Sequence, residues 1–112
     1  MNIEVKAYIE KYPSEVKELF GKLRLIVLKA GGENIEEKLW AKLPSYYLNE
    51  KFVRLIPFKD HVNIEAVGLK GYFGELEGYK ITPKGMLQVF CGGELPEEIL
   101  LEGFTDTFMG RG

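Results

Sequence analysis

The chain has few of the residues from which thiol and metal chemistry is built. Among its 112 residues are one cysteine, Cys91, and one histidine, His61. A single cysteine cannot form an internal disulfide, and these two residues are too few for the structural zinc patterns, which need four nitrogen or sulfur ligands. A lone thiol suits a reducing compartment. We therefore expect a cytoplasmic protein without a disulfide or structural zinc.

Excess charge of either sign is also absent, as are long hydrophobic runs. The net charge is −2, which does not attract the chain as a whole to nucleic acid or to anionic lipid. The longest nearly apolar run, "LRLIVLKAGG", is interrupted by Arg24 and Lys29 and is shorter than the roughly 20 residues that span a bilayer. The N-terminus carries Glu4 and Glu10 without a long apolar core, so we expect no signal peptide.

Catalytic signatures are missing as well. The sequence contains no phosphate-binding loop, dinucleotide fingerprint, HExxH motif or nucleophile elbow. Cys91 and His61 could in principle act as nucleophile and base, but the context "VFCGG" favours an inert thiol at a strand end. These absences favour a binding protein over an enzyme.

The residues that are present predict one α+β domain, covering residues 1–112. Hydrophobic residues make up 46% of the chain and charged residues 29%, which is typical of a soluble globular domain. Residues 2–10 and 14–30 are predicted helices, the second with Ser14 as its N-cap and the glycines at 31–32 as its end. The second helix has one apolar stripe at helical spacing: Val16, Leu19, Phe20, Leu23, Ile26, Val27 and Ala30.

From residue 36 the hydrophobic period changes to two, which predicts strands. In "EEKLWAKLP", alternation groups Leu39 with Ala41 and Leu43, and it groups Trp40 with the neighbouring lysines. Further strands are predicted at 51–58, 62–66, about 78–82 and 85–90. A short helix is predicted at 68–77, and a last helix that Pro96 begins is followed by a frayed tail from residue 105. This order predicts an antiparallel sheet with helices packed on one face and the other face open.

The segment "FKDHVNIEA" places His61, Asn63 and Glu65 on the outer face of a predicted strand. Two interpretations remain open. In the first, these side chains form a solvated polar face. In the second, they join Trp40, Arg54 and Gln88 from neighbouring strands in a shallow binding surface, with Lys80 or Lys84 meeting an anion.

Carboxylates occur in groups, and one group precedes the first predicted strand. Exposed carboxylates stabilise helix N-termini or remain solvated, but oxygen ligands also suit hard cations such as iron or calcium. Glu33, Glu36 and Glu37, together with His61, are the candidate metal ligands.

Three segments in order resemble the YdhG-like family, a small bacterial domain of unknown function. They are "KLWAKLPSYYLNEKFVRLIPFKDHVNIEAV", "GYKITPKGMLQV" and "LPEEIL", and the resemblance covers roughly residues 12–102. The chain differs from the family pattern at "NIEA", at Pro83 and at "FCGG". The positions that match the family motifs are Pro44, Tyr47, Phe58, Lys59, His61, Tyr79, Lys80, Lys84 and Gly85.

The resemblance implies a frataxin-like α+β fold. It also implies an intracellular iron chaperone that delivers Fe²⁺ to iron–sulfur or haem assembly proteins. The alternative is a module that binds a small ligand or a protein partner on the open sheet face without metal. The outward Trp40 and the unpaired edge strands are also consistent with a homodimer. The candidate ligand-binding residues are Trp40, Tyr47, Arg54, His61, Asn63, Glu65, Lys80, Lys84 and Gln88.

Overall fold

The computed structural model describes residues 1–111 and has the predicted α+β architecture. All neighbouring strands of its six-stranded sheet are antiparallel, in the order β1-β2-β3-β4-β6-β5. The α-helices are α1 (Ile3–Ile9), α2 (Ser14–Gly31) and α3 (Glu97–Met109), and a 3-10 helix spans Val67–Leu76. The strands are β1 (Glu36–Trp40), β2 (Leu43–Leu48), β3 (Lys51–Pro57), β4 (His61–Glu65), β5 (Lys80–Ile81) and β6 (Leu87–Phe90).

The apolar stripe of α2 packs on the sheet, as its spacing predicts. Val16, Phe20, Leu23 and Val27 are fully buried, and α2 contacts both β3 and β4. On the sheet side of this core, the buried residues come from one face of the strands: Tyr46, Val53, Leu55, Val62, Ile64, Leu87 and Val89. Within residues 1–111, no helix combines the length and the apolar character that crossing a membrane requires.

The predicted N-cap of α2 is wrong by one residue. Pro13 occupies the cap position and Ser14 is already helical. The carbonyl oxygen of Pro13 accepts hydrogen bonds from the amides of Val16 and Lys17, and no side chain caps this end. At the other end Gly32 has φ +81°, which agrees with the predicted glycine termination.

The prediction of one strand through "EEKLWAKLP" is also wrong, because a hairpin turn divides it. Ala41 and Lys42 have φ values of +50° and +66°, so both central residues of a two-residue turn are left-handed. The turn pairs Trp40 with Leu43 and Leu39 with Pro44. Leu43 therefore lies on the same face of the sheet as Trp40, and Ala41 lies in the turn.

The C-terminal helix is longer than predicted, and the 68–77 segment is a 3-10 helix. Thr107 and Phe108, assigned to a frayed tail from sequence, are buried in α3. The Gly68 amide donates a hydrogen bond to the Thr107 hydroxyl at 2.8 Å. A side chain at Gly68 would collide with the Gly103 carbonyl oxygen, so this glycine permits the close packing that orders the end of α3. Of the predicted tail, Gly112 lies outside the described residues.

The open face of the sheet as candidate functional site

The face of the sheet opposite α2 and α3, which we call the open face, contains most of the predicted ligand-binding residues. Cross-strand partners in an antiparallel sheet share a face. Glu65 pairs with Arg54, and Arg54 pairs with Ser45. The open face contains eight of the nine predicted residues: Trp40, Tyr47, Arg54, His61, Asn63, Glu65, Lys80 and Gln88. Lys84 is the exception, because it lies in the turn between β5 and β6.

Aromatic rings enclose the guanidinium of Arg54. Its carbon lies 3.8 Å from the centre of the Phe52 ring and 4.1 Å from that of the Trp40 ring. Arg54 is only 6% exposed, whereas Trp40 is 50% exposed. A flat cation attracts the electron-rich ring face, and the attraction strengthens as water is excluded. The buried arginine therefore supports an indole ring that remains half open to solvent.

Hydrogen bonds fix the orientation of the same guanidinium. Its Nη2 donates to the Tyr47 hydroxyl at 2.8 Å, its Nη1 to Glu65 Oε1 at 3.1 Å and its Nε to Ser45 Oγ at 3.1 Å. A buried charge needs such partners, because its desolvation is costly otherwise. We call Trp40, Tyr47, Phe52 and Arg54 the aromatic–arginine cluster. Its geometry is set by strands β1, β2 and β3 rather than by a loop.

A second aromatic group surrounds the single histidine. The imidazole of His61 is stacked between the rings of Phe58 and Phe90, with centres 4.6 Å and 4.7 Å away. Its Nδ1 lies 2.7 Å from Asp60 Oδ1, and the hydrogen bond from His61 lowers the pKa of that carboxyl. The His61 side chain is 16% exposed. It is therefore a packed aromatic residue rather than part of the solvated polar face considered from the sequence.

Between these two groups, Asn63 is buried with an unsatisfied carbonyl group. The residue is 8% exposed, and its Oδ1 has no hydrogen-bond partner among the described residues. On the open face Asn63 is flanked by Ile56 of β3 and Gln88 of β6. A buried carbonyl oxygen without a partner is costly, and this one is closed to solvent, so an unpaired polar atom lies beneath the centre of this face. This burial also corrects the solvated interpretation of the strand.

The predicted metal ligands are not brought together. Because strand side chains alternate, Glu36 lies on the open face, and its Oε1 is 3.4 Å from Lys38 Nζ. The next residue, Glu37, lies on the helix side, where its Oε2 is 2.6 Å from Arg24 Nε. Glu33 precedes β1, whereas His61 is on β4. These two strands are three strand spacings, or about 14 Å, apart across the sheet. Across residues 1–111, no three His, Cys, Asp or Glu side chains are grouped closely enough to hold a metal ion.

Cys91 and His61 form no nucleophile–base pair in the described part of the chain. The hydrogen bond of the His61 ring is to Asp60, and Cys91 is linked to the same residue through its backbone amide, which donates to the Asp60 carbonyl at 3.0 Å. Burial raises the pKa of the Cys91 thiol, and the nearby carboxylates of Glu15 and Asp60 raise it further. A raised pKa lowers the thiolate fraction and therefore the nucleophilicity.

Sequence reasoning missed several residues of this face. The predicted site does not include Phe52 or Phe90, although they are stacking partners of Arg54 and His61. The signal was available, because alternation in "KFVRLIPF" places Phe52 on the face of Arg54. Ser45 offered no such signal, since its contact with Arg54 depends on the register between β2 and β3.

Comparison of the chain with protein-family models, with curated proteins and with solved structures gives no match. The YdhG-like resemblance, and the iron delivery that it implies, therefore stay predictions from sequence motifs. The function proposed below depends on the residues of the open face alone.

Proposed function

We propose that the protein is a non-enzymatic binding module whose open face docks a partner protein. The observation that supports this most directly is the buried Arg54 beneath the half-exposed Trp40. The guanidinium carbon lies 4.1 Å from the centre of the Trp40 ring. Tryptophan, tyrosine and arginine are the residues that most often dominate the binding energy of protein interfaces. Because hydrogen bonds already hold the arginine in place, little side-chain freedom would be lost on binding.

The size of the face favours a transient partner over a stable homodimer. Six strands at about 4.8 Å spacing, with about five residues each, give a surface of roughly 25 by 17 Å, or about 400–500 Å². Stable interfaces bury about 800 Å² on each partner, and smaller ones belong mostly to transient complexes. A second copy of this chain is therefore not the occupant that we propose.

The charges of the face indicate what chemistry the partner has. Glu36 is paired with Lys38 and Glu65 with Arg54. In the described residues, the lysines at the margin of the face have no carboxylate within 4.0 Å. These are Lys42, Lys59 and Lys80. The complementary partner surface is apolar and aromatic at its centre, with acidic residues at its rim.

Iron delivery is not the function that we propose. It would need ligands that converge, and residues 1–111 contain no such group. The Glu37 carboxylate is occupied by Arg24 and by the backbone amide of Asn2. Anaerobic calorimetry with Fe²⁺ tests the iron hypothesis separately, because binding of iron at the carboxylates does not require the aromatic–arginine cluster.

Selection from a displayed peptide library, with the whole chain as bait, tests the proposed function. We expect enriched peptides to combine apolar or aromatic residues with Asp or Glu, and to shift the indole resonance of Trp40. Trp40→Ala should abolish their binding. The matched control is Leu25→Ala, which removes an apolar side chain that is 65% exposed on α2, on the other side of the sheet.

Two outcomes would refute this proposal. One is enrichment of peptides whose binding depends on Leu25 and not on Trp40. The other is a monomer–dimer equilibrium in sedimentation that Trp40→Ala abolishes, which would assign the open face to a second copy of the chain.

A further inference from the structure

A cleft beside the open face brings together three lysines from separate elements. Lys51 begins β3, Lys70 lies in the 3-10 helix and Lys84 lies in the turn between β5 and β6. The cleft has a volume of about 340 Å³, which is in the range of small-molecule sites. Gly85, with φ +87°, lets the turn bend toward the 3-10 helix, and a Cβ at this position would lie 3.5 Å from Lys70 Cε.

The cations of this cleft are not neutralised by the protein. In the described part of the chain, none of the three lysines has a carboxylate oxygen within 4.0 Å. Two carboxylates also line the cleft, those of Glu50 and Glu65, but Glu65 is already paired with Arg54 at 3.1 Å. Three lysines and one unpaired carboxylate thus line the cleft, which leaves an excess of positive charge.

The floor of the cleft is apolar. Phe52, Ala66 and Val67 contribute to its lining, and Val67 is half exposed. A site with an apolar floor and a few cationic groups at its margin fits a molecule with an apolar body and an anionic head. A fully hydrated inorganic ion would leave the apolar floor unused.

We infer that this cleft is a binding site for a small organic anion, with a carboxylate or phosphate head and an apolar or aromatic body. The head lies between Lys70 and Lys84, which belong to facing segments. Lys51 is the third cation. It lies beside Gly110 at the end of α3, because a Cβ added to Gly110 would be 3.7 Å from Lys51 Nζ. The site adjoins the proposed protein-docking surface and shares Phe52 and Glu65 of the open face with it, but its three lysines lie outside that face.

Titration of the ¹⁵N-labelled whole chain with phenyl phosphate tests this inference. We expect saturable shifts of the amides of Val67, Lys70 and Gly85. Phenyl phosphate should bind more tightly than inorganic phosphate, which lacks the apolar body, and more tightly than phenol, which lacks the charge. Benzoate should shift the same amides if a carboxylate head is accepted, and the relative affinities of the two anions identify the preferred head.

Four variants complete the test. Lys70→Ala and Lys84→Ala should each weaken phenyl phosphate binding about fivefold, because each removes one charge-assisted contact. Lys59→Ala removes an exposed lysine outside the cleft and should change nothing. Trp40→Ala should leave phenyl phosphate binding intact, which separates this inference from the proposed function. Absence of saturation, shifts that map elsewhere, or equal effects of Lys59→Ala and Lys84→Ala would overturn it.

Discussion

The guanidinium carbon of Arg54 lies 4.1 Å from the centre of the Trp40 ring, although the two residues belong to strands with another strand between them. The arginine side chain therefore extends across β2 to reach β1. On its way it donates hydrogen bonds to Ser45 and Tyr47, both of β2. Because it also pairs with Glu65 of β4, this one side chain links four strands of the open face. Removal of the guanidinium should therefore lower the stability of the fold.

Arg54→Met should lower the free energy of unfolding by about 1–3 kcal/mol, because it leaves buried hydrogen-bonding groups without their partner. Methionine keeps part of the apolar stem, so the loss reports mainly on the guanidinium. The hydroxyl of Ser45 and the carboxylate of Glu65 would have to find water or reorient. Urea denaturation at neutral pH measures the change.

Lys38→Met is the matched control on the same face. Lys38 is also a cation over an aromatic ring, 4.7 Å from the centre of Tyr47, but its side chain is 39% exposed. Exposed pairs of this kind contribute little, so we expect a change below about 0.5 kcal/mol. Equal losses in the two variants would mean that the burial of Arg54 has no energetic consequence.

The contact between the 3-10 helix and α3 provides the second prediction. At Gly68 a Cβ would lie 2.6 Å from the Thr107 amide nitrogen, whereas at Gly71 it would meet nothing within 4 Å. Gly68→Ala should therefore cost about 2–4 kcal/mol, since the clash is with backbone that cannot move away alone. Gly71→Ala should be neutral or slightly stabilising. Thermal unfolding of the two variants, a few residues apart in one element, compares them directly.

Which residues share the open face was predictable because strand side chains alternate. Alternation alone placed Arg54, Asn63 and Glu65 on the outside, and the register confirms this placement. What it could not provide was their burial. Asn63 is 8% exposed because the large side chains of neighbouring strands surround it, and those neighbours depend on strand order rather than on local pattern.

Two errors in the predicted fold have the same physical origin. Ala41 and Lys42 have no turn preference, so the hairpin between β1 and β2 leaves no mark in the composition of its loop. The pairing of flanking strands selects the left-handed backbone there. Thr107 and Phe108 likewise give no obvious helix signal. Both are buried, and the Thr107 hydroxyl accepts a hydrogen bond from the Gly68 amide of the 3-10 helix. In both places tertiary contacts override weak local preference.

The third prediction compares two leucines on α2. Leu23 is fully buried and Leu25 is 65% exposed, although they are two residues apart on the same helix. Leu23→Ala should cost about 2–5 kcal/mol, through lost burial and the cavity that remains. Leu25→Ala should change the free energy of unfolding by less than about 0.5 kcal/mol. Urea denaturation giving the reverse order would show that α2 packs on its other face.

The fourth prediction concerns the dependence of stability on pH. The Glu37 side chain is 9% exposed and accepts hydrogen bonds from Arg24 Nε and from the Asn2 amide, both at 2.6 Å. Burial opposes ionisation of this carboxyl, but the hydrogen bonds from Arg24 and Asn2 outweigh it and hold its pKa below the usual value. The unfolded chain, with an ordinary glutamate pKa of about 4.3, then takes up a proton more readily than the folded one.

It follows that the ion pair stabilises the fold fully above the unfolded pKa and loses its contribution as the pH falls through the lower folded pKa. Glu37→Gln should therefore be destabilised at pH 7 by about 1–3 kcal/mol, and this deficit should shrink in strongly acidic solution, where the wild-type carboxyl is itself neutral. Glu36→Gln is the control, because the neighbouring Glu36 side chain is 65% exposed. Urea denaturation across this pH range should give a curve for Glu36→Gln parallel to that of the wild type. A parallel curve for Glu37→Gln as well would mean that another carboxylate carries the acid sensitivity of the fold.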